Sequence, residues 1–98
     1  MANNLNMNPI FCDTAATFFP ASKQLNLRAI AWLNDQASGS DIAASDDMLL
    51  SDANGNRIVG KRAISAGDGI EMYHFPENLI VNGLVMTTLD GGVCYIFV

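Results

Sequence analysis

The most reactive side chains in this sequence are the thiols of Cys12 and Cys94 and the imidazole of His74, its single histidine. A nucleophilic site needs a thiolate beside a general base, with an acid that orients the base, and Asp68 or Glu71 would complete such a set. No spacing along the chain brings these residues together. His74 lies in an alternating apolar segment, which favours a packed or interfacial histidine. The sequence therefore predicts no catalytic residue and no enzymatic activity.

The two cysteines allow three interpretations. They are too few for a disulfide framework, and the first eight residues lack the basic segment that begins a secretory signal. Two free, buried thiols are the favoured interpretation. The alternatives are a disulfide that ties the N-terminal segment to the last strand, and a redox or nucleophilic role for one thiol.

Metal and cofactor patterns are incomplete. Asp52, Asn54 and Gly55 resemble the start of an EF-hand loop, but the glycine comes too early and Ala63 stands where that loop needs Glu. A zinc site would need paired cysteines or more histidines. The glycines form neither of the phosphate-binding patterns that precede a helix. We therefore expect no metal and no cofactor.

Short apolar segments alternate with turn residues along most of the chain. Residues 23–34 alternate with period two, which favours a strand over a helix, although alanine and leucine also suit a helix. Further strand segments follow at residues 48–51, 57–63, 70–75, 79–81, 84–89 and 93–98. This spacing predicts an all-β domain, an antiparallel β-sandwich or small jelly-roll-like barrel. We assign residues 1–22 to an extended N-terminal arm and residues 23–98 to the β-sandwich.

Glycine-containing turns separate these strands. Asn54 and Gly55 predict a hairpin, because both residues tolerate positive φ, and Gly60 is a candidate β-bulge. Residues 90–92 predict a tight hairpin into the last strand. That strand is apolar on both faces, so we expect it to be central or covered on both sides.

Composition excludes several classes of protein. The chain has 98 residues, 50% of them hydrophobic and 15% charged, with a formal net charge of −5. Such a chain is too apolar for an acidic disordered protein and too acidic to bind a nucleic-acid backbone. Lys61 and Arg62 form the only basic pair, which favours a solvated strand or a salt bridge. No apolar run is long enough to span a membrane.

Adjacent aromatic residues suggest a protein interface. Phe18 and Phe19 point to opposite faces of an extended chain, so only one of them can enter the core. Ile30 and Trp32 lie on the nominal outer face of their strand, and Pro20 follows the phenylalanine pair. We predict that these five residues contact a partner and that the protein is a homo-oligomer, a trimer or a dimer. The aromatic residues could instead form a platform that stacks on sugars.

The second half of the chain has a familiar order of turns and strands. It runs through residues 49–55, 66–68, 75–84 and 87–92 to the terminal strand at residues 95–98. This order resembles small β-sandwich structural proteins encoded beside the capsid genes of tailed bacteriophages. The resemblance implies a non-enzymatic virion component, a decoration or cement protein that binds the major capsid protein and is assembled in the host cytoplasm. The alternative it leaves is a host-surface or carbohydrate-binding module on the virion or tail.

Overall fold

The structure, a computed structural model, describes residues 3–34 and 41–98, and its regular secondary structure consists of β-strands. There are six strands: β1 (Ile10–Cys12), β2 (Ala16–Leu33), β3 (Asp47–Ser51), β4 (Arg57–Arg62), β5 (Ile70–Leu89) and β6 (Val93–Phe97). The described residues contain no helix. The predicted all-β class is confirmed.

All six strands belong to one antiparallel sheet with the order β1-β6-β2-β5-β3-β4. The long strands β2 and β5 pair with each other at the centre. The second half of β2 also pairs with β6, and the last part of β5 pairs with β3. The sheet is not closed into a barrel. As predicted, the terminal strand is central, because β6 lies between β1 and β2.

Two irregularities bend the β2–β5 pair. Residues 20–23 of β2 lie opposite the single residue Gly83, and residues 75–78 of β5 lie opposite the single residue Arg28. Three extra residues on one strand force that strand to bulge and the pair to bend. One buried cluster contains residues from five of the six strands, so the bent sheet packs around a single core.

The bends change which face of β2 points inward. Core residues occupy an even position at Phe18, odd positions at Leu25 and Leu27, and even positions again at Ile30 and Trp32. Strict alternation would have kept one parity throughout. The sequence-based assignment of Ile30 and Trp32 to the outer face is therefore corrected. Near Arg28, β2 passes from one half of the bent sheet to the other. Its odd-numbered residues face the core before this point, and its even-numbered residues face the core after it.

The N-terminal segment is not confirmed as an extended arm. In its described part, residues 10–12 form β1 and residues 16–22 form the beginning of β2. β1 pairs with β6, and Phe11 also exchanges two backbone hydrogen bonds with Asn4. Ile10, Cys12 and Phe18 belong to the core. The segment is held in the sheet by its pairing with β6 and by the burial of these three side chains.

Several turns also differ from expectation. The hairpin predicted at Asn54 and Gly55 is confirmed between β3 and β4, and Gly55 has φ +87°. Asn54 is not among the residues with positive φ, so the turn is a loop that ends in a left-handed glycine. Gly60 pairs in register with Leu49 and is not a bulge. Residues 90–92 do not form a hairpin, because β6 pairs with β1 and β2. Residues 76–78 were expected to end a strand and residues 82–83 to form a turn or a bulge, but both lie inside β5. Residues 75–78 bulge opposite Arg28, and Gly83 faces the bulge formed by residues 20–23 of β2.

Candidate functional site

The two long strands each leave one backbone edge without a strand partner. On β2, β6 pairs only with residues 29–33, so residues 16–28 have no described strand on that side. On β5, β3 pairs only with residues 85–89, so residues 70–80 are likewise unpaired on their outer side. We call these stretches the β2 edge and the β5 edge. They lie on opposite sides of the β2–β5 pair.

The β5 edge carries four of the seven large hydrophobic residues that are exposed in the described part of the chain. Met72, Tyr73, Leu79 and Ile80 are among the large hydrophobic residues that remain exposed, and Ile80 is 64% exposed. The ring of Tyr73 packs edge-on against the ring of Phe75, with centroids 5.3 Å apart. An unpaired strand with apolar side chains can add a further strand or pack on another apolar surface.

The two edges carry opposite charge. The charged residues of β2 are Lys23 and Arg28, and the acidic residues of β5 are Glu71 and Glu77. All four are exposed. None of them forms an ion pair with another residue in the described ranges. These charges are therefore available to a partner.

The five predicted interface residues fall into two groups. Phe18, Ile30 and Trp32 are buried within the chain itself, and Trp32 donates a hydrogen bond from Nε1 to the carbonyl oxygen of Gly91 at 2.9 Å. A partner is not needed to cover these three. Phe19 is half-buried and Pro20 is exposed, so these two are accessible on the β2 edge.

The structure separates His74 from the two thiols. Cys12, Cys94 and Trp32 lie in one row of cross-strand pairs, and the cysteines belong to the core. His74 pairs with Ala29, three positions from Trp32, so it lies on the opposite face of the sheet. It is exposed, and its imidazole makes no hydrogen bond or ion pair with any described residue. These groups do not form a nucleophile–base pair.

The Asp52 carboxylate is used by its own turn. It accepts hydrogen bonds from the backbone N–H groups of Asn54 and Asn56 and from the side-chain amide of Asn56, at 2.8–3.0 Å. The side-chain and backbone bonds from Asn56 lower the pKa of Asp52. Within the described residues, no group of three acidic, histidine or cysteine side chains is arranged to hold a metal ion.

A shallow groove of about 590 Å³ lies over β3 and β4. Arg62 donates to Asp47 at 2.7 Å, and this hydrogen bond lowers the pKa of the Asp47 carboxyl. Lys61 pairs with Asp68 at 3.0 Å. The basic pair is therefore neutralised within the chain. Arg57, at one end of the groove, has no ion pair in the described ranges and could hold a carboxylate.

Sequence reasoning missed the β5 edge. The apolar residues around Pro76 appeared as two short strands with a turn between them, so no unpaired edge was expected. The sequence does contain one indication of this edge, the run of three apolar residues Leu79, Ile80 and Val81. Only every second residue of a strand faces one core, so at least one of these side chains points away from it.

Comparison with known proteins adds no assignment. The chain matches no protein-family model, no curated protein and no solved structure. None of the described segments is a helix with the length and hydrophobicity needed to cross a membrane.

Proposed function

We propose that this protein is a non-enzymatic structural subunit that assembles with copies of itself and docks on a larger protein shell. The observation that carries the proposal is the β5 edge, which exposes Met72, Tyr73, Leu79 and Ile80 along an unpaired strand. Exposed apolar side chains on an unpaired strand mark an interaction site, because the strand also offers backbone donors and acceptors to a partner strand.

Charge favours a second copy of this chain as the occupant of the β5 edge. In a twofold dimer built from two β5 edges, Glu71 and Glu77 would meet carboxylates of the same strand, which is unfavourable. Contact between the β5 edge and the β2 edge of the next copy instead brings these carboxylates towards Lys23 and Arg28. Such a head-to-tail contact gives a closed ring when the rotation between successive copies returns to the first copy, and a trimer is the smallest ring.

The bulges limit how far the edges can pair. Pro20 and Pro76 lie within the irregular segments and provide no backbone N–H. Proline, charge and bulges are the features that protect sheet edges from unlimited association. Pairing is therefore restricted to short stretches beside each bulge. This restriction favours a defined oligomer over a fibre.

The resemblance to phage β-sandwich proteins suggests the larger assembly to which this protein belongs. It supports a virion component that decorates or cements a capsid, with the major capsid protein as the larger partner and the virion as its location. The accessible residues Phe19 and Pro20 are the part of the predicted interface that can contact either partner.

The carbohydrate-binding alternative has less support. Of the eight aromatic residues, only Tyr73 is exposed. Its ring meets Phe75 at an interplanar angle of 85°, so the two rings do not form a flat platform for a sugar. Stacking of sugars requires an accessible ring face, and one such ring gives little area.

Molar mass in solution tests the assembly. By light scattering, we expect the full chain to have a mass that is a multiple of 10.5 kDa, and the Ile80→Lys variant to fall to the monomer mass. The matched control is Ile64→Lys, because Ile64 is 88% exposed and lies outside both edges. It should retain the wild-type mass. A wild-type monomer, or equal effects of the two substitutions, would contradict the proposal.

Sedimentation tests the virion setting separately. We expect the purified chain to co-sediment with assembled capsid shells of the phage that encodes it, with the Ile64→Lys variant as a binding-competent control. A chain that forms the oligomer but stays in the supernatant would remove the capsid as a partner and leave the assembly intact.

A further inference from the structure

The two cysteines lie directly opposite each other. Cys12 on β1 and Cys94 on β6 are partners in an antiparallel register, with Ile10 opposite Ile96 on the same face. Directly opposed residues project to the same side of a sheet, with Cβ atoms about 4.5–5.5 Å apart. Both thiols are free and buried. The fold thus places two cysteines that are 82 residues apart in the sequence directly opposite each other on neighbouring strands.

The hydrogen-bond pattern defines the type of pair. Phe11 exchanges both of its backbone hydrogen bonds with Asn4, at 2.8 and 3.0 Å, on the side of β1 that faces away from β6. Because successive residues of a strand point their N–H and C=O groups to alternate sides, those of Cys12 point towards β6. Cys12 and Cys94 therefore form a hydrogen-bonded pair, for which the Cα–Cα distance is about 5.5 Å. Disulfides span Cα–Cα distances of about 4.4–6.8 Å, which this pair meets, and Cβ–Cβ distances of about 3.5–4.5 Å. Closure of the bridge therefore requires the short strand β1 to shift so that the two Cβ atoms approach by about 1 Å.

We propose that Cys12 and Cys94 form an oxidisable pair that closes to an intramolecular disulfide and locks β1 onto β6. The strand that it locks is the shortest in the sheet and has three paired residues. Because both thiols are free, hydrogen bonds and packing alone hold β1 against β6. A bridge between these positions would convert a strand that can fray into a fixed part of the sheet.

The oxidant is a small disulfide of the glutathione type. The Cys12 thiolate attacks one sulfur of the oxidant, which forms a mixed disulfide and releases one thiolate. The Cys94 thiolate then attacks the Cys12 sulfur and releases the second thiolate. Two electrons pass from the two protein thiols to the oxidant, which becomes two thiols after it takes up the two protons that Cys12 and Cys94 lose.

The order of attack follows from the position of the two thiols. Cys12 lies on the three-residue strand near the chain terminus, and its thiol donates a hydrogen bond to the carbonyl oxygen of Thr14 at 3.3 Å. Cys94 lies on β6, between two paired strands. Burial raises the pKa of Cys12 to about 11, and burial raises the pKa of Cys94 further. Reaction should therefore be slow at neutral pH and start at Cys12 when β1 opens.

Oxidised glutathione added to the folded full-length protein tests the proposal. At mildly alkaline pH, we expect a product that is two hydrogen atoms lighter than the reduced chain, monitored by intact mass, and no glutathione left attached. The melting temperature should rise by roughly 10–20 °C, because the bridge constrains a long loop in the unfolded chain. Added reductant should reverse both changes.

Single-cysteine variants separate a pair from two independent thiols. In the Cys94→Ala variant, we expect Cys12 to retain one glutathione, since no second thiol resolves the mixed disulfide. In the Cys12→Ala variant, Cys94 should stay unmodified. Wild-type protein that keeps both thiols free in the folded state, retains glutathione, or links to another copy through a disulfide would overturn the proposal. A fold test by circular dichroism accompanies each variant.

Discussion

Pro20 on β2 and Pro76 on β5 lie at opposite ends of one paired stretch, each within a four-residue segment that faces a single residue of the other strand. The register between these segments runs without interruption from Gln24 opposite Asn82 to Leu27 opposite Leu79. The β2–β5 pair therefore has an approximate twofold arrangement of bulge, paired stretch and bulge. This arrangement bends the sheet twice around one core and leaves one free edge on each side.

The bend at Gly83 gives the first prediction. Gly83 has φ +80°, and a Cβ there would lie 2.8 Å from the carbonyl oxygen of Phe19. Gly55 has a similar φ of +87° with open space around it. We expect Gly55→Ala to reduce the free energy of unfolding by about 1 kcal/mol, from backbone strain alone. Gly83→Ala should cost roughly 1–3 kcal/mol more, because strain and collision add.

Urea unfolding of the two variants measures this difference. Equal losses at the two positions would show that the close approach of β2 to Gly83 does not exist. Circular dichroism before unfolding establishes that each variant is folded.

The second prediction concerns pH. Asp68 accepts hydrogen bonds from the backbone N–H of Ile64 and from Lys61, and these lower its pKa in the folded state. Folding thus favours the ionised carboxylate. Its contribution to stability is present above the unfolded pKa of about 4 and is lost as the pH falls through the lower folded pKa. We expect Asp68→Asn to lower the melting temperature at about pH 6 and to have a shrinking effect below about pH 4.

Asp41→Asn is the matched control for this titration, because Asp41 is exposed, lies outside both edges and has no ion pair in the described ranges. Its melting temperature should follow the wild type across the whole series. An Asp68→Asn effect that is constant with pH would mean that the carboxylate charge does not contribute.

The third prediction tests the head-to-tail contact by reversal of charge. One variant carries Glu71→Lys and Glu77→Lys on the β5 edge, and another carries Lys23→Glu and Arg28→Glu on the β2 edge. Each variant alone would place like charges at the contact, so we expect each to be monomeric by light scattering. Their mixture should recover the oligomer, since every contact then joins opposite charges.

The behaviour of the β2-edge variant alone distinguishes the two modes of assembly. A dimer built from two β5 edges would be unaffected by Lys23→Glu and Arg28→Glu. If that variant keeps the wild-type mass, the head-to-tail contact is refuted. The recovered oligomer should also weaken at high salt, as expected for exposed charges.

The fourth prediction concerns the N-terminal segment. Deletion of residues 1–20 would remove β1 and the beginning of β2, including the core side chains of Ile10, Cys12 and Phe18. We expect the truncated chain to lose its cooperative thermal transition. A truncated chain that melts like the wild type would support a detachable arm.

Local sequence signals were sufficient for the class of fold and insufficient for its connections. Alternation over residues 23–34 indicated a strand, and that strand is part of β2. Pro76 and Gly83 indicated turns, yet the chain continues through both as one strand. Whether such a residue reverses the chain or bulges it depends on the partner strand, which is distant in sequence.

The site was harder to predict for the same reason. Trp32 and Ile30 were assigned to the outer face because period two fixes the alternation of faces, but not which face meets the core after a bend. The β5 edge could not be inferred from local pattern, since an edge is defined by where the neighbouring strand β3 ends. Opposite charges on β2 and β5 are visible in the sequence, and they acquire meaning only once the two free edges are known.

Hydrogen–deuterium exchange at several protein concentrations tests the central claim, that the β5 edge is the assembly surface. The account predicts that backbone amides of residues 70–80 become more protected as concentration rises, together with residues 16–28 of the β2 edge. Strand β4 (Arg57–Arg62), the outermost strand on one side of the sheet, is the internal control and should exchange equally at every concentration. Protection that does not change at residues 70–80, or that appears at β4 instead, would contradict the account.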